Sequence, residues 1–538
     1  MKISQSVLAL SSWIFTFNRG DMCIKKMRFL LILISVSFLN LAYAQTSADL
    51  PRSKPETEGV ASDGILQFIN AVEKSKNELH SFMFLRHGKV VAEGWWDPYN
   101  PTLRQSLYST SKTFTSTAVG LAVSENRLRL SDKVISFFPH DLPDTVSDFL
   151  KELTVKDVLM MADGQEPDPT GVVAAKFNNW VKGFMSIPIK HEPGTVFLYN
   201  SMGTFMLSAI VQKVTGQKEI DYLRPRLFNP LGIGGMDWEE NLQGINTGGW
   251  GLRLKTEDMA KVGQLYLQKG MWNGNQVLPA AWVAEATTAK IIQHPDLPKS
   301  VRDTSDWEQG YCYQMWRCRH NAYRADGAFG QYIIVMPDED AVIAIQAETP
   351  DMQDELNLVW KYLLPSMHKD KIPVDEKAQT NLKAKLSTLS LSPAPANFSS
   401  SGINMSTDKN YVFEPNEKTI ETFTLQIREG VCRLQMKTSA DTYNLQFGYG
   451  RWKIGQTNKQ MASLVSAAKE NYALLLPYKI AGSYYWKDDQ TLVLTLRYIE
   501  SPHTEITTCH FDGNKITVDI ENSWQYGTKK TVLTGVLK

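Results

Sequence analysis

The spacing of apolar residues changes partway along the chain, at a stretch rich in Ser, Pro and Ala, SLSPAPANFSSSG (390–402). Before this stretch, helical and strand-like spacings alternate. After it, apolar residues alternate with polar ones, as at Phe423, Leu425 and Ile427. Such alternation indicates half-buried strands, and clusters of Pro and Ser mark boundaries between folded units. A chain of 538 residues is also too long for a single hydrophobic core.

We therefore predict an α+β domain over residues 45–370, a linker over 371–402, and a small all-β domain over 403–538, either an antiparallel barrel or a sandwich. The clearest predicted elements of the first domain are two strands hinged at His87-Gly88, helices that begin at Ser109 and Gly203, a helix with Thr256 as N-cap, and a hairpin over 332–348.

The N-terminal residues have the layout of a secretory signal. Basic residues precede an apolar run, FLLILISVSFLNL (29–41), and the small-residue sequence AYA (42–44) follows it. This order predicts a signal peptide over residues 1–44 that is cleaved before Gln45, with a buried core helix as the alternative. The apolar run is shorter than the ~20 residues of a membrane span, so the mature protein should carry no stable span. We predict export across the inner membrane to a bacterial periplasm.

The predicted signal does not open the chain, although signal peptides normally do. Residues 1–26 are therefore interpreted as the result of start-codon choice, with Met22 or Met27 as the true first residue.

Charge and motifs exclude several classes of function. The chain has 57 basic and 57 acidic residues, so no net field draws nucleic acid or an anionic membrane. It contains neither a G-x-S-x-G nor an H-E-x-x-H sequence, and we predict no cofactor and no metal. A small-molecule, ester or peptide substrate is the expected partner, and the sequence carries no indication of oligomeric state.

Four cysteines remain after the predicted cleavage, and their state is open. Cys432 could pair with Cys509, and Cys312 with Cys318, because export permits disulfides. Free buried thiols are an equal alternative. None of the four has the spacing of a zinc site.

The sequence Ser109-Thr110-Ser111-Lys112 stands at the start of a predicted helix and holds the main candidate for chemistry. Ser-x-x-Lys alone is weak evidence, since two further copies begin at Ser406 and Ser466 without supporting context. On a helix, however, positions i and i+3 share a face, so Lys112 can lie against the Ser109 hydroxyl.

The helix start also favours the chemistry of a nucleophile. Burial and the positive helix end both favour a neutral lysine, and a neutral amine can accept the Ser109 proton. The backbone N–H of Ser109 lies in the first turn, where it has no helical acceptor and can donate to an oxyanion.

The segment LYSTSKTFTSTAVGLAV (107–123) resembles the first motif of the serine β-lactamase and penicillin-binding superfamily, and within it the class C β-lactamase-like hydrolases and esterases. The resemblance extends from about Pro55 to Glu348 and includes LTVKDVLMMADG (153–164). It implies a β-lactamase-like fold, in which helices flank an antiparallel sheet and form a helical subdomain.

A second segment, PGTVFLYNSMGTFML (193–207), resembles the P-G-T-x-F-x-Y-S-N motif of that superfamily. The resemblance places Tyr199 at the catalytic tyrosine, which passes protons between nucleophile and leaving group. Ser201 stands where the family has asparagine, and it is predicted to contact substrate with a smaller hydrogen-bonding capacity.

A third segment, YRADGAFGQYIIVMP (323–337), resembles the edge strand beside the site. Its G-x-x-G-Q part is kept in related esterases and nylon-oligomer amidases. The resemblance implies that the second oxyanion donor is the backbone N–H of Ala328, or of Gly327 if the alignment shifts by one residue.

The usual K-T-G sequence is absent here, and Ala325 and Asp326 occupy its positions. That motif normally holds a substrate carboxylate. Asp326 would repel a carboxylate, and Arg324 alone could compensate. We therefore place Arg324, Asp326 and Gly327 among the substrate-binding residues, and expect weak turnover of β-lactams.

The resemblance implies an exported serine hydrolase that cleaves an ester or amide through an acyl-enzyme on Ser109, with Lys112 and Tyr199 moving protons. A neutral substrate, or one with an amine near the scissile bond, fits best. A β-lactamase or D-peptidase remains an alternative. So does a non-catalytic protein that binds glycan or peptide, because two motifs are altered.

Overall fold

The structure is a computed structural model, and it describes residues 49–394, 407–465, 467–523 and 529–538. The predicted signal peptide lies outside these residues, as do Ser406 and Ser466 of the two further Ser-x-x-Lys copies.

The strands of the first part, in chain order, are β1 Glu78–Arg86, β2 Lys89–Trp95, β3 Gln105–Ser106, β4 Asp237–Trp238, β5 Leu252–Leu254, β6 Met271–Trp272, β7 Asn275–Gln276, β8 Trp316–Arg317, β9 Tyr323–Gly327, β10 Gln331–Met336 and β11 Ala341–Glu348. The helices are α1 Ser62–Lys74, α2 Ser111–Ser124, α3 Val134–Phe137, α4 Asp148–Glu152, α5 Val155–Leu159, α6 Thr170–Lys176, α7 Trp180–Ser186, α8 Ser201–Thr215, α9 Glu219–Leu223, α10 Thr256–Leu267, α11 Ala280–Thr287, α12 Lys299–Arg302, α13 Met352–Leu358 and α14 Glu376–Leu386.

The central sheet of the first part is antiparallel, with the strand order β2-β1-β11-β10-β9-β8. An apolar layer covers each of its faces. Successive side chains of a strand point to opposite faces, so each strand contributes to both layers. In β1, Phe82 and Phe84 join the apolar layer beneath α1, whereas Met83 and Leu85 join the layer that contains α10 and α2. The predicted α+β class is therefore confirmed.

Helix α1 packs against α13 and α14 on one side of the sheet, and α10 packs against β1, β10 and β11 on the other. Helix α14 falls within the predicted linker, and its Ala378 and Leu382 are buried. Residues 376–386 are thus part of the first domain's packing, and residues 395–402 of the linker lie outside the described residues.

Strands β12 to β21 follow the linker, and they are β12 Lys409–Phe413, β13 Ile420–Arg428, β14 Val431–Thr438, β15 Thr442–Tyr449, β16 Lys453–Thr457, β17 Tyr478–Asp488, β18 Thr491–Tyr498, β19 His503–Asp512, β20 Lys515–Asn522 and β21 Thr531–Leu537. They form one sheet in the order β15-β14-β13-β12-β21-β20-β19-β18-β17-β16. Gly448 and Tyr449 of β15 also pair with Ser483 and Tyr484 of β17, which closes the sheet. The predicted all-β domain is a barrel rather than a sandwich.

The barrel contacts the first domain through an apolar cluster, in which Tyr99 meets Ala481 and Ile499, and through polar groups. Arg497 Nη2 donates to Glu78 Oε2 over 2.9 Å, and Ser106 N donates to Glu500 O over 3.0 Å. The loop between β16 and β17 also reaches the first domain, where Trp250 Nε1 donates to Glu470 Oε1 over 2.9 Å.

Three predicted helix starts change in detail. The helix predicted from Gly203 begins at Ser201. The helix predicted from Ser109 begins at Ser111, after a 3₁₀ turn over Tyr108–Thr110. Thr256 is the first residue of α10, and Lys255 is the N-cap. The Thr256 hydroxyl donates to Gln346 Oε1 instead of capping the helix. Cys312, Cys318, Cys432 and Cys509 are free and buried.

No helix among the described residues is long and apolar enough to cross a membrane.

Candidate active site

Ser109 lies in the 3₁₀ turn that leads into α2. The residue before it, Tyr108, has a φ of 46°, in the left-handed region that non-glycine residues rarely adopt. This conformation turns the chain sharply between β3 and α2. It leaves Ser109 partly exposed while Thr110 and Lys112 are buried.

Lys112 brings three groups together around its amine. Its Nζ lies 2.9 Å from Ser109 Oγ, and it donates to Ser201 Oγ over 3.0 Å and to Gly249 O over 2.7 Å. A neutral amine has two N–H bonds and one lone pair. The carbonyl of Gly249 can only accept, and Ser201 Oγ accepts the second N–H, so the lone pair of a neutral Lys112 is left for the Ser109 hydroxyl.

Burial favours this neutral state. Lys112 is 1 % exposed, and removal from water lowers the pKa of its amine from 10.5 to about 7. The carboxylates of Asp168 and Asp326 oppose the shift, because negative charge stabilises the ammonium form. A substantial fraction of Lys112 is therefore a free base near neutral pH.

Tyr199 completes this group of side chains. Its ring centroid lies 4.9 Å from Lys112 Nζ, and Ser109 opposes the rise in the pKa of its phenol. Burial raises the pKa of this phenol above its usual value, so Tyr199 is protonated at neutral pH. The three residues predicted to be catalytic are thus placed together.

Asn200 and Ser201, two residues of the altered motif, make different contacts. Asn200 is buried and caps α8, with its Oδ1 accepting from Met202 N and Gly203 N. Ser201 is the first residue of the helix, and it points to Lys112. Its hydroxyl accepts from Lys112 Nζ, and its contact with substrate stays a prediction.

The turn after β9 packs directly on the 3₁₀ turn that carries Ser109. A Cβ on Gly327 would lie 2.2 Å from Leu107 O, so only glycine allows this approach. Thr110 Oγ1 donates to Gln331 O over 2.6 Å and ties the two turns together. Within the described chain, the backbone amides of Ser109 and Ala328 donate to no protein acceptor, which leaves both for a ligand.

Arg324 and Asp326 point in the same direction, since residues i and i+2 of a strand share a face. Arg324 Nε donates to Asp326 Oδ2 over 2.7 Å, and Arg324 Nη1 donates to Asp306 O over 2.8 Å. Arg324 is fully buried. It pairs with Asp326 and has no exposed surface, which differs from its predicted contact with substrate. Burial raises the pKa of Asp326, and Arg324 opposes that shift.

Aromatic side chains form one wall of the site. Trp316 stacks on Tyr199 with ring centroids 5.8 Å apart, and Tyr311 meets Trp316 edge-on at 4.9 Å. Phe197 and Trp307 extend this wall. Stacked and edge-on rings offer a rigid apolar surface next to the nucleophile.

Two residues of the site were not predicted. Gly249 acts through its backbone carbonyl, a group that every residue has, so its residue type carries no indication of that role. Asp168 is exposed and raises the pKa of Lys112, and its Oδ1 accepts from Thr170 N over 2.9 Å. The glycine-rich sequence TGGWG (247–251) is the feature that could have pointed to Gly249.

A group of possible metal ligands lies away from this site. Oxygen and nitrogen atoms of Glu78, His80 and Glu348 lie within 4.8 Å of one another. Arg497 already pairs with Glu78 there, so a guanidinium supplies the positive charge. The group therefore does not fit a metal ion.

We predict that the rate at which a fluorophosphonate modifies Ser109 rises as the pH passes about 7, because the reaction needs the neutral form of Lys112. Labelling followed by mass spectrometry across roughly pH 5 to 9, on both sides of that pKa, measures this rate. Lys112→Arg should abolish labelling, since arginine stays protonated. A pH-independent rate would contradict a buried basic lysine.

Comparisons with known proteins agree with this geometry. The β-lactamase family profile matches residues 76–363, which is more than half of the chain. The 6-aminohexanoate-dimer hydrolase of Paenarthrobacter ureafaciens is 26 % identical over 59 % of this chain and 85 % of its own length. Protein flp of Staphylococcus aureus (strain MW2) is 27 % identical over 28 % of this chain, and the match spans only 33 % of flp.

Among solved structures, a putative 6-aminohexanoate-dimer hydrolase from Bacillus anthracis matches 60 % of this chain and 89 % of its own, with 20 % identity and a TM-score of 0.47. The family match confirms the resemblance and the fold that it implied. The chain belongs to the β-lactamase family, within a superfamily whose members are serine hydrolases.

Proposed function

We propose that this protein hydrolyses an ester or amide through an acyl-enzyme on Ser109. The observation that carries the proposal is the amine of Lys112, which lies 2.9 Å from Ser109 Oγ with a pKa of about 7. Gly249 and Ser201 occupy its two N–H bonds and direct its lone pair at the hydroxyl. Such an arrangement has little use in a protein that only binds a ligand.

The proposed reaction has two halves. Lys112 takes the proton of Ser109 as Oγ attacks the substrate carbonyl, and the backbone amides of Ser109 and Ala328 stabilise the resulting oxyanion. Tyr199 passes a proton from Lys112 to the leaving alcohol or amine as the carbon–leaving-group bond breaks. Water then attacks the acyl carbonyl, gives its proton to the same relay, and releases the acid and free Ser109.

Charge in the site favours neutral or cationic substrates. Arg324 is fully buried and its Nε donates to Asp326, so its charge is balanced by that carboxylate rather than exposed to a substrate carboxylate. Asp168 presents an exposed carboxylate instead, and the aromatic wall suits an apolar acyl or leaving group. The relative named for hydrolysis of a 6-aminohexanoate dimer supports an amide substrate with an amine.

A substrate panel tests the function. We expect the wild-type protein to hydrolyse p-nitrophenyl esters or amino-acid amides faster than nitrocefin, and Ser109→Ala to lose labelling and turnover. Ser124→Ala is the matched control, because its Oγ donates to Leu121 O at the far end of α2, away from the lysine's contacts. Nitrocefin as the best substrate would favour a β-lactamase, and folded protein that is neither labelled nor active would favour a binding role.

Asp168→Asn should reduce the preference for amines. An exposed ion pair contributes about 0.5–1 kcal/mol, so we expect kcat/KM for p-nitrophenyl 6-aminohexanoate to fall about two- to fivefold relative to p-nitrophenyl hexanoate. The same variant should shift the pH dependence of labelling to lower pH, because Asp168 raises the pKa of Lys112.

Asp148→Asn is the control for this prediction, since that exposed carboxylate pairs with Lys151 on α4. An unchanged ratio of the two esters in Asp168→Asn would remove the argument for an amine substrate.

We also propose that the protein is exported to the periplasm, on the basis of the apolar run over 29–41 and the AYA sequence after it. Expression in a Gram-negative host should then give a mature N-terminus at Gln45. Mass spectrometry of the intact protein from the periplasmic fraction measures this mass. Retention of residues 1–44 in the cytoplasm would contradict export.

A further inference from the structure

Two residues with left-handed backbones flank the proposed oxyanion donors. Tyr108, with a φ of 46°, immediately precedes Ser109, and Phe329, with a φ of 66°, immediately follows Ala328. Aromatic residues rarely adopt such angles, and they keep them only where the surrounding structure holds them. The position of each donor amide therefore depends on what holds the neighbouring aromatic ring.

Both rings meet the same residue of the barrel, His503, at the start of β19. The ring centroids of His503 and Tyr108 lie 5.6 Å apart, those of His503 and Phe329 lie 5.2 Å apart, and both pairs are edge-on. Tyr108 and Phe329 also meet edge-on at 5.6 Å. The Tyr108 hydroxyl shares a short hydrogen bond with His503 Nε2. The three rings form one cluster behind the two turns.

The backbone around His503 is fixed to the first domain. Glu500 O accepts from Ser106 N, three residues before Ser109, over 3.0 Å. Thr504 Oγ1 donates to Glu348 Oε2 over 2.9 Å, at the end of β11. His503 is itself 1 % exposed, so its ring cannot turn away into solvent. The imidazole thus has a fixed position relative to the sheet that carries the site.

The hydrogen bond between Tyr108 and His503 does not titrate near neutral pH. Burial lowers the pKa of His503 to about 3 and raises the pKa of the Tyr108 phenol above its usual value. Both groups stay neutral, so the contact is a constant part of the structure over the range in which Lys112 titrates.

We propose that His503 is a positioning residue that holds the Ser109 and Ala328 turns at a fixed separation, so that the barrel completes the oxyanion site. The inference rests on the proposed function, because it assigns a role in stabilising the oxyanion. It also gives the barrel a specific part in catalysis, through one imidazole that packs against both aromatic rings.

The test uses the full-length protein and separates positioning from folding. Misplacing a catalytic group by about 1 Å costs on the order of 100-fold, so His503→Ala should lower kcat about 10- to 100-fold with KM nearly unchanged. His503→Phe keeps a ring against Phe329 but loses the hydrogen bond, and should lose less. The Ki of a boronic acid, which mimics the tetrahedral intermediate, should rise by the same factor as kcat/KM falls.

His510→Ala is the matched control, since His510 is an exposed histidine on the same strand. It should leave kcat, KM and boronate binding unchanged. The pH at which labelling of Ser109 rises should also stay the same in the His503 variants, because Lys112 keeps its contacts. A structural collapse would instead move that pH and KM as well.

Folded His503→Ala with kcat and boronate affinity within about twofold of wild type would overturn the inference, since a misplaced donor costs far more. If that variant does not fold, Tyr108→Phe removes the same hydrogen bond from the other side and decides by the same two measurements. Wild-type protein that neither reacts with the fluorophosphonate nor turns over any ester would contradict the proposed function itself. An active wild type whose His503 variants keep the same kcat and boronate affinity would contradict only the role of His503.

Discussion

The buried amine of Lys112 is the group on which the rest of the site depends. A lysine in water is a cation with three N–H bonds, and it has no lone pair to offer. Here burial removes much of the preference for the charged form. A backbone carbonyl and a serine hydroxyl then use the two remaining N–H bonds. The direction of the lone pair is therefore determined by the acceptors around it.

The first domain is built to keep these acceptors in place. The polar face of α2 bonds to the glycine-rich segment, with Thr115 Oγ1 donating to Gly248 O and Leu252 N donating to Ser111 Oγ. Trp250, in the middle of that segment, is buried and donates to Glu470 of the barrel loop. The carbonyl that orients Lys112 is thus held from both sides, by the nucleophile's own helix and by the second domain.

Much of the site could be predicted because its side chains lie in short local motifs. Ser109 and Lys112 are three residues apart at a helix start, so their spacing predicted that they meet. Tyr199 was assigned from the resemblance of its segment, just before another helix, to a family motif. Gly249 could not be found in this way, since it contributes a main-chain oxygen that every residue has. Arg324 was misplaced because sequence cannot say whether a cation faces a ligand or a neighbouring carboxylate.

In the fold, too, local elements could be predicted from the sequence, whereas contacts between distant residues could not. Alternation predicted the strands of the all-β domain, but closure into a barrel depends on the pairing of β15 with β17, which lie far apart in the chain. The contacts between the domains escaped prediction for the same reason. Glu78 and Arg497 meet across 419 positions, and nothing near either residue marks the other as its partner.

The separation of Tyr108 and His503 by 395 positions has a consequence for the order of synthesis. A chain that emerges from the ribosome with its N-terminus first contains the nucleophile and its lysine long before the imidazole behind them. Throughout that interval, the turn at Tyr108 lacks its contact with His503. A truncated chain would therefore hold Ser109 and Lys112 in an incomplete structure, and the proposed activity would be complete only once the final strands have formed.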